Sequence, residues 1–343
     1  MKQNLLILTI PLLLSTCHSS GGTYGGPGDV AIFRVSDGSV VGKDTHAGRY
    51  ADMVIAHDET AGKVAVIEWG DYKSTIKIFS LADSKFKKHS VGIGRLNGLD
   101  GADYYDFNAD EFIFHDQKGM HFFGKNSKPK EIPNPLPKDY ATGAIVPCKD
   151  VLLIKASNGT GDYCGSVVYR YLRSDDSIKK IYETSECTRA IGSGVDCAII
   201  EEDVKGDPTN RQIVRIALDG RVLSRVKMPI QPPAYLSVVK IEKESLYEAY
   251  GSVIFRLQQA SLDKGTILHK YEFADIPGKV GLCDVKDNIA IISGPQAASD
   301  GSFTAIVLDI ETKKELIRFK CQSSVSGLKL MKHNGEVYCI VSN

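Results

Sequence analysis

The strongest constraint on this chain is a repeat cut in two by its termini. The segment after Gly28 reads like the second half of a unit, and the segment after Gln322 like the first half of the same unit. Between them the full unit recurs about every 45 residues. A repeat shared between both ends predicts a closed ring whose termini meet within one unit.

Two patterns alternate along the chain. One is an apolar strand that leaves a turn, as in Val64-Ala65-Val66-Ile67, Val151-Leu152-Leu153-Ile154 and Ile289-Ala290-Ile291-Ile292. Turn residues precede it, among them Ala61-Gly62, Lys149-Asp150, Asp287-Asn288 and Asn334-Gly335. The other is an apolar strand, a polar turn and a strand rich in Lys and Arg, starting at Ala31, Ile76, Met120, Val167, Ile213, Val253 and Ala305. Asp and Gly recur in its turns because Asp caps its own turn and Gly accepts positive φ. Helical periodicity is nearly absent. The Lys- and Arg-rich strands, with Lys85, Lys87, Lys88, Lys179 and Lys180, read as exposed edges on which charge discourages aggregation.

Each unit is therefore four strands, a to d, and seven copies occur. The pattern resembles the seven-bladed β-propellers of the YVTN and WD40-like superfamily. The resemblance is one of architecture: Trp69 is the single tryptophan, so the Trp-Asp dipeptide of WD40 blades is missing, as are quinoprotein docking motifs. It implies an all-β, seven-bladed propeller closed by pairing N-terminal strands c and d with C-terminal strands a and b. The expected organisation is a signal peptide over 1–17, a Gly/Ser-rich tether over 18–28 and one propeller domain over 29–343. Fold alone names no function.

Lys2 followed by the apolar run Leu5 to Leu14 reads as a secretory signal, too short for a bilayer span. Leu14-Ser15-Thr16-Cys17 resembles the bacterial lipobox, with Thr16 departing from the usual Gly, Ala or Ser. The expectation is export to the periplasm or cell surface, either tethered through lipid on Cys17 or simply secreted. Membrane contact is expected through that lipid anchor alone. Lys plus Arg and Asp plus Glu each number 42, which argues against a nucleic-acid-binding surface.

Asp106-Phe107-Asn108-Ala109-Asp110 resembles the start of a calcium loop, but Glu111 and Gln117 stand where an EF-hand wants Gly and Glu, so an ordinary turn is expected. His57-Asp58-Glu59 and His115-Asp116 place a His beside an acid. Adjacent strand residues point to opposite faces, which makes poor catalytic pairs. Asn158-Gly159-Thr160 is a glycosylation sequon. No nucleophile elbow, phosphate loop or dinucleotide fingerprint occurs, and neither a cofactor nor a metal is implied.

In an oxidising compartment the remaining seven cysteines leave at least one unpaired within the chain. Propeller topology puts loops b–c and d–a on one face and loops a–b and c–d on the other. Cys164 and Cys187 share a face and a blade boundary, and Cys148 and Cys197 lie near a–b turns of neighbouring blades. Disulfides Cys164–Cys187 and Cys148–Cys197 are expected, with Cys283 and Cys339 as buried thiols.

The d–a connections repeatedly carry a cation or an aromatic. A ligand site at the channel mouth is expected from Arg49, Tyr50, Arg95, Tyr140, Arg189, Tyr235 and Lys279, with Asp203 and Asp207 in b–c loops of that face. Arg and Tyr side chains suit a small anionic or sugar-like ligand. The missing catalytic motifs favour a binding or interaction scaffold, for such a ligand or for a protein. Two alternatives stay open: a lactonase-like hydrolase or lyase with a site assembled from several blades, and a structural subunit of an envelope complex.

Overall fold

A computed structural model describes residues 29–45, 53–68, 75–89, 102–115, 119–124, 130–133, 136, 140–158, 165–205, 207–228, 239–242, 245–250, 254–277, 281–294, 303–321 and 328–342. These residues form seven four-stranded antiparallel sheets, and no helix occurs among them. Blade 1 joins both ends of the chain in the order β2 (Val40–Thr45), β1 (Asp29–Arg34), β28 (Glu336–Ser342), β27 (Leu328–His333). Blade 2 is β3 (Met53–Asp58), β4 (Lys63–Glu68), β5 (Thr75–Ser80) and β6 (Lys85–His89). Blade 3 is β7 (Ala102–Asp106), β8 (Glu111–His115), β9 (Gly119–Gly124) and β10 (Lys130–Pro133). Blade 4 is β11 (Ala141–Cys148), β12 (Val151–Ser157), β13 (Ser166–Leu172) and β14 (Ser177–Thr184). Blade 5 is β15 (Thr188–Ser193), β16 (Cys197–Val204), β17 (Asp207–Ala217) and β18 (Val222–Lys227). Blade 6 is β19 (Val239–Glu242), β20 (Ser245–Tyr250), β21 (Ile254–Ser261) and β22 (Ile267–Pro277). Blade 7 is β23 (Gly281–Lys286), β24 (Ile289–Ser293), β25 (Phe303–Asp309) and β26 (Lys314–Cys321). The fold class is thus the expected seven-bladed β-propeller, with β1 paired to β28 from Val30↔Ser342 to Arg34↔Tyr338.

The chain divides into two compact units, the first of Met1–Arg95, Gly251–Arg256 and Tyr271–Asn343, the second of Leu96–Tyr250 and Leu257–Lys270. Blades 7, 1 and 2 belong to unit one, and blades 3, 4 and 5 to unit two.

Within each unit the second strand of a blade is buried on both faces. In unit two, Val151 and Leu153 of β12 pack with Ala198 and Ile200 of β16. Their neighbours Leu152, Ile154 and Ala156 pack the other way, with Ile113 of β8. In unit one, Met331 and Ile340 of blade 1 face Val64 and Val66 of blade 2, while Leu330 and Cys339 face Ile291 of blade 7. This two-sided burial is why these strands read as continuous apolar runs rather than as alternation. Each fully buried Val, Leu, Ile or Met among them contributes about 1.5–3 kcal/mol. The fourth strands are different: β6, β10 and β18 are largely exposed, and Lys87 and Lys130 pair with Asp83 and Asp176.

The turns have the expected chemistry. Asp58 Oδ1 accepts from Thr60 N at 2.9 Å and Ala61 N at 3.0 Å, and Asp37 and Asp219 cap their turns in the same way. Asn334 and Gly335 both have positive φ, at 49° and 83°, which a two-residue hairpin between β27 and β28 requires.

Candidate functional site

Most of the expected ligand residues, Arg49, Tyr50, Arg95, Tyr235 and Lys279, lie outside the described residues, as do Cys17, the signal segment and the tether. Two of the expected set fall within them: Tyr140 completely, and Arg189 by its backbone alone. Both belong to unit two, at the end of blades 4 and 5 where second strands pass into third strands.

Tyr140 precedes β11, is half-buried, and packs on the apolar cluster shared by blades 3 and 4. Its hydroxyl stands over the neck of the β12–β13 connection: a Cβ placed on Gly165 would lie 2.6 Å from Tyr140 Oη. That neck is tied by Gly165 N donating to Asn158 Oδ1 at 2.6 Å and Asn158 N donating to Gly165 O at 3.1 Å. The sequon asparagine therefore has a local structural role.

Arg189 sits at a β-bulge. Thr188 pairs with Glu202 and Ala190 with Glu201, so Arg189 has no cross-strand partner. Bulges re-aim side chains at the rims of sheets. The residues just before it are held three ways. Lys155 Nζ donates to Thr188 O at 3.0 Å, the Ser166 and Thr188 hydroxyls bond at 2.7 Å, and Asp203 N donates to Cys187 O at 3.0 Å. Lys155 is 8% exposed. Burial holds its ammonium below the ordinary lysine range, and the Glu201 carboxylate works against that shift.

Behind this corner lies a buried ionic network. Arg211 Nη1 is 3.0 Å from both Glu201 Oε1 and Glu248 Oε1, and all three side chains are at most 2% exposed. On the side facing blade 4, Glu202 accepts from Tyr182 Oη and Gln212 Nε2, each at 2.8 Å, and from Arg225 Nη1 at 2.5 Å. Burial and the Glu202 carboxylate raise the Tyr182 hydroxyl above its ordinary range, against the nearby Arg225. Sequence reasoning missed these residues and expected Asp203 and Asp207 in loops. Instead β16 runs on to Val204, leaving Asp203 buried within it, and Asp207 opens β17. The available signal was Glu201-Glu202-Asp203 directly after the apolar run Ala198-Ile199-Ile200.

The calcium-like stretch is an ordinary turn. Asp106 Oδ1 accepts from Asn108 N at 2.9 Å, Asp106 Oδ2 pairs with Arg173 at 2.8 Å, and Asp110 accepts from the Tyr105 hydroxyl at 2.5 Å. Among the described residues no group of three His, Cys, Asp or Glu side chains is placed to hold a metal ion.

The expected Cys148–Cys197 disulfide is not formed. Both are buried free thiols, and Cys148 Sγ points to main-chain oxygens, 3.8 Å from each of Gly194 O and Cys197 O. Burial, reinforced by the neighbouring Cys197, raises the Cys148 thiol above its ordinary range. Cys283 and Cys339 are buried free thiols in strands, as their positions imply. Cys187 is not among the free thiols, and Cys164, its expected partner, lies outside the described residues.

No family model matches the chain, and no curated protein matches it in sequence. Solved structures do match in fold. An oligogalacturonate lyase in complex with manganese is 10% identical with a TM-score of 0.59, covering 94% of this chain and 99% of that one. An oligogalacturonate lyase from Vibrio parahaemolyticus is 11% identical with a TM-score of 0.56, covering 93% and 98%. A prolyl endopeptidase is 11% identical with a TM-score of 0.55 over 84% of this chain, which spans 46% of that enzyme's length. At such identities the likeness is one of fold alone, and the chain is in fold a seven-bladed β-propeller.

Proposed function

We propose that the chain is an exported β-propeller that binds an anionic, sugar-like ligand at the end of blades 4 and 5 that carries Tyr140 and Arg189. The observation that carries this reading is the threefold fixing of Cys187 and Thr188 beside the Arg189 bulge. A site whose backbone is already held loses less entropy on binding. An acidic oligosaccharide would suit an arginine, through charge-assisted bonds, and a tyrosine, through stacking. Two structures similar in fold have names that refer to oligogalacturonate, which is such a ligand. In this reading residues 1–17 direct export, Cys17 is the lipidation site, 18–28 is the tether, and Cys164–Cys187 braces the same corner.

Calorimetric titration of residues 18–343 with oligogalacturonates and with neutral oligosaccharides tests the proposal. Saturable binding of the acidic series alone is expected, weakened about tenfold in Arg189→Ala, the loss typical of one charge-assisted contact. Absence of saturable binding to any acidic oligosaccharide removes it. Intact mass of the mature N-terminus decides lipidation, and a non-reducing peptide map decides the Cys164–Cys187 bond.

A second reading, a lyase at the same corner, is favoured by Lys155. An ammonium held below its ordinary range is closer to a general base than an exposed lysine is. Appearance of unsaturated product in the same mixtures, abolished in Lys155→Met while binding is weakened but still saturable because the Lys155–Thr188 bond is lost with it, would replace the binding reading.

A further inference from the structure

One outer edge of unit one is unlike the rest in charge. Of the outermost strands of the seven blades, β6 is the one that carries three lysines and no carboxylate. Protecting an edge asks for charge on it, but not for three charges of one sign. Lys85, Lys87 and Lys88 are all exposed. The carboxylates nearest to them are engaged. Asp83, in the preceding turn, bonds to Lys87. Asp44 Oδ2 and Glu68 Oε2 lie 2.5 Å and 2.9 Å from Nζ of the buried Lys77. Among the described residues no carboxylate pairs with Lys85 or Lys88. The edge outside these pairs is therefore positive.

This edge also stands beside the point where the N-terminal segment enters the propeller. Val30 of β1 pairs with Asp44 of β2, Asp44 bonds to Lys77 of β5, and Lys77 pairs with Lys88 of β6. Two strand spacings and one ion pair between side chains separate Val30 from Lys88, at most roughly 20 Å. A Gly/Ser-rich run as long as 18–28 spans about 17–20 Å as a coil. Two contacts reinforce each other most when the linker between them matches the distance it must span.

We infer that the β6 edge of blade 2 docks on the anionic headgroups of a phospholipid bilayer, as a second contact beside the lipid on Cys17. The inference rests on the lipid anchor of the reading above and gives it an orientation, with blade 2 toward the bilayer. A single acyl chain holds a protein to a membrane only marginally, and a basic patch is a second signal that makes anchoring stable. Each lysine near an anionic surface strengthens binding about fivefold.

The test uses residues 18–343, which hold the whole propeller and no lipid, in sedimentation with vesicles at low salt. Phosphatidylcholine vesicles are compared with equal mixtures of phosphatidylcholine and phosphatidylglycerol. Binding to the mixed vesicles alone is expected, fading as salt is added. It should fall about hundredfold when Lys85→Gln, Lys87→Gln and Lys88→Gln are combined, and stay unchanged in Lys179→Gln with Lys180→Gln on the β14 edge. Circular dichroism confirms that both variants fold. In the mature exported protein on mixed vesicles, Lys85 and Lys88 should react more slowly than Lys179 with an amine-directed reagent, and on phosphatidylcholine they should not. Equal binding to both vesicle types, an equal loss in the β14 variant, or a dimer through this edge in place of vesicle binding overturns the inference. The sedimentation arm contains no lipid on the protein, so failure of the patch and failure of the lipidation reading are told apart.

Discussion

Arg211, buried between Glu201 and Glu248, shows how one residue can hold a blade boundary together. Burying three charges is costly, and the arrangement persists because each carboxylate meets the guanidinium at 3.0 Å. Removing the cation leaves two carboxylates close together without it. Arg211→Met should therefore lose about 3–5 kcal/mol in urea unfolding, far more than its lost packing alone. His57 makes a pH-dependent contribution of the opposite kind. Burial holds its folded-state pKa below the ordinary 6.5, so the unfolded chain takes up the proton first. Stability present above that value is lost as the pH falls through it. The urea midpoint should drop between pH 7.5 and 5, and His57→Gln should flatten that slope. Neither role was legible locally. His57 and Glu59 share a side, which the spacing of two allows, but nothing nearby in sequence announces that Asp284 and Lys329 act on His57.

At the scale of strands and turns, more could be read in advance. Second strands buried on both faces leave unbroken apolar runs, and Asp, Asn and Gly mark the turns because those geometries need them. The bulge at Arg189 could not be read, since an unpaired residue is a property of two strands rather than one. Close approach between blades is equally hidden. Gly42 of β2 faces Phe79 of blade 2, and a Cβ there would lie 2.3 Å from the Phe79 ring. Phe79 is fully buried and sits 4.9 Å from the Phe86 ring, so it has little room to retreat. Gly42→Ala should cost about 1–3 kcal/mol by overpacking, measured as a lowered melting temperature.

For the whole molecule, the central feature is blade 1, which takes two strands from each end of the chain. β28 pairs with both β1 and β27 and sends Cys339 and Val341 into one core cluster and Ile340 into another. Deleting residues 336–342 should abolish cooperative unfolding as followed by circular dichroism, because two strand pairings and two clusters go with them. Retention of a single sharp transition would show that closure is dispensable. The intact chain is expected to unfold in one transition if residues 29–343 act as a single domain, and two transitions would separate the two compact units.

The split repeat, the turn residues and the apolar runs by themselves determined seven four-stranded blades and the strand exchange between termini. These signals are local: side-chain period, φ preference and turn chemistry act within a few residues. The tertiary structure alone decided which charges meet. It placed Arg211 against Glu248, 37 residues away, and Glu59 against Lys332, 273 residues away. It also left Cys148 and Cys197 as buried free thiols, with Cys148 Sγ aimed at carbonyl oxygens. A strand pattern says that a position is buried, but only the juxtaposition of blades says what a buried charge or thiol will face.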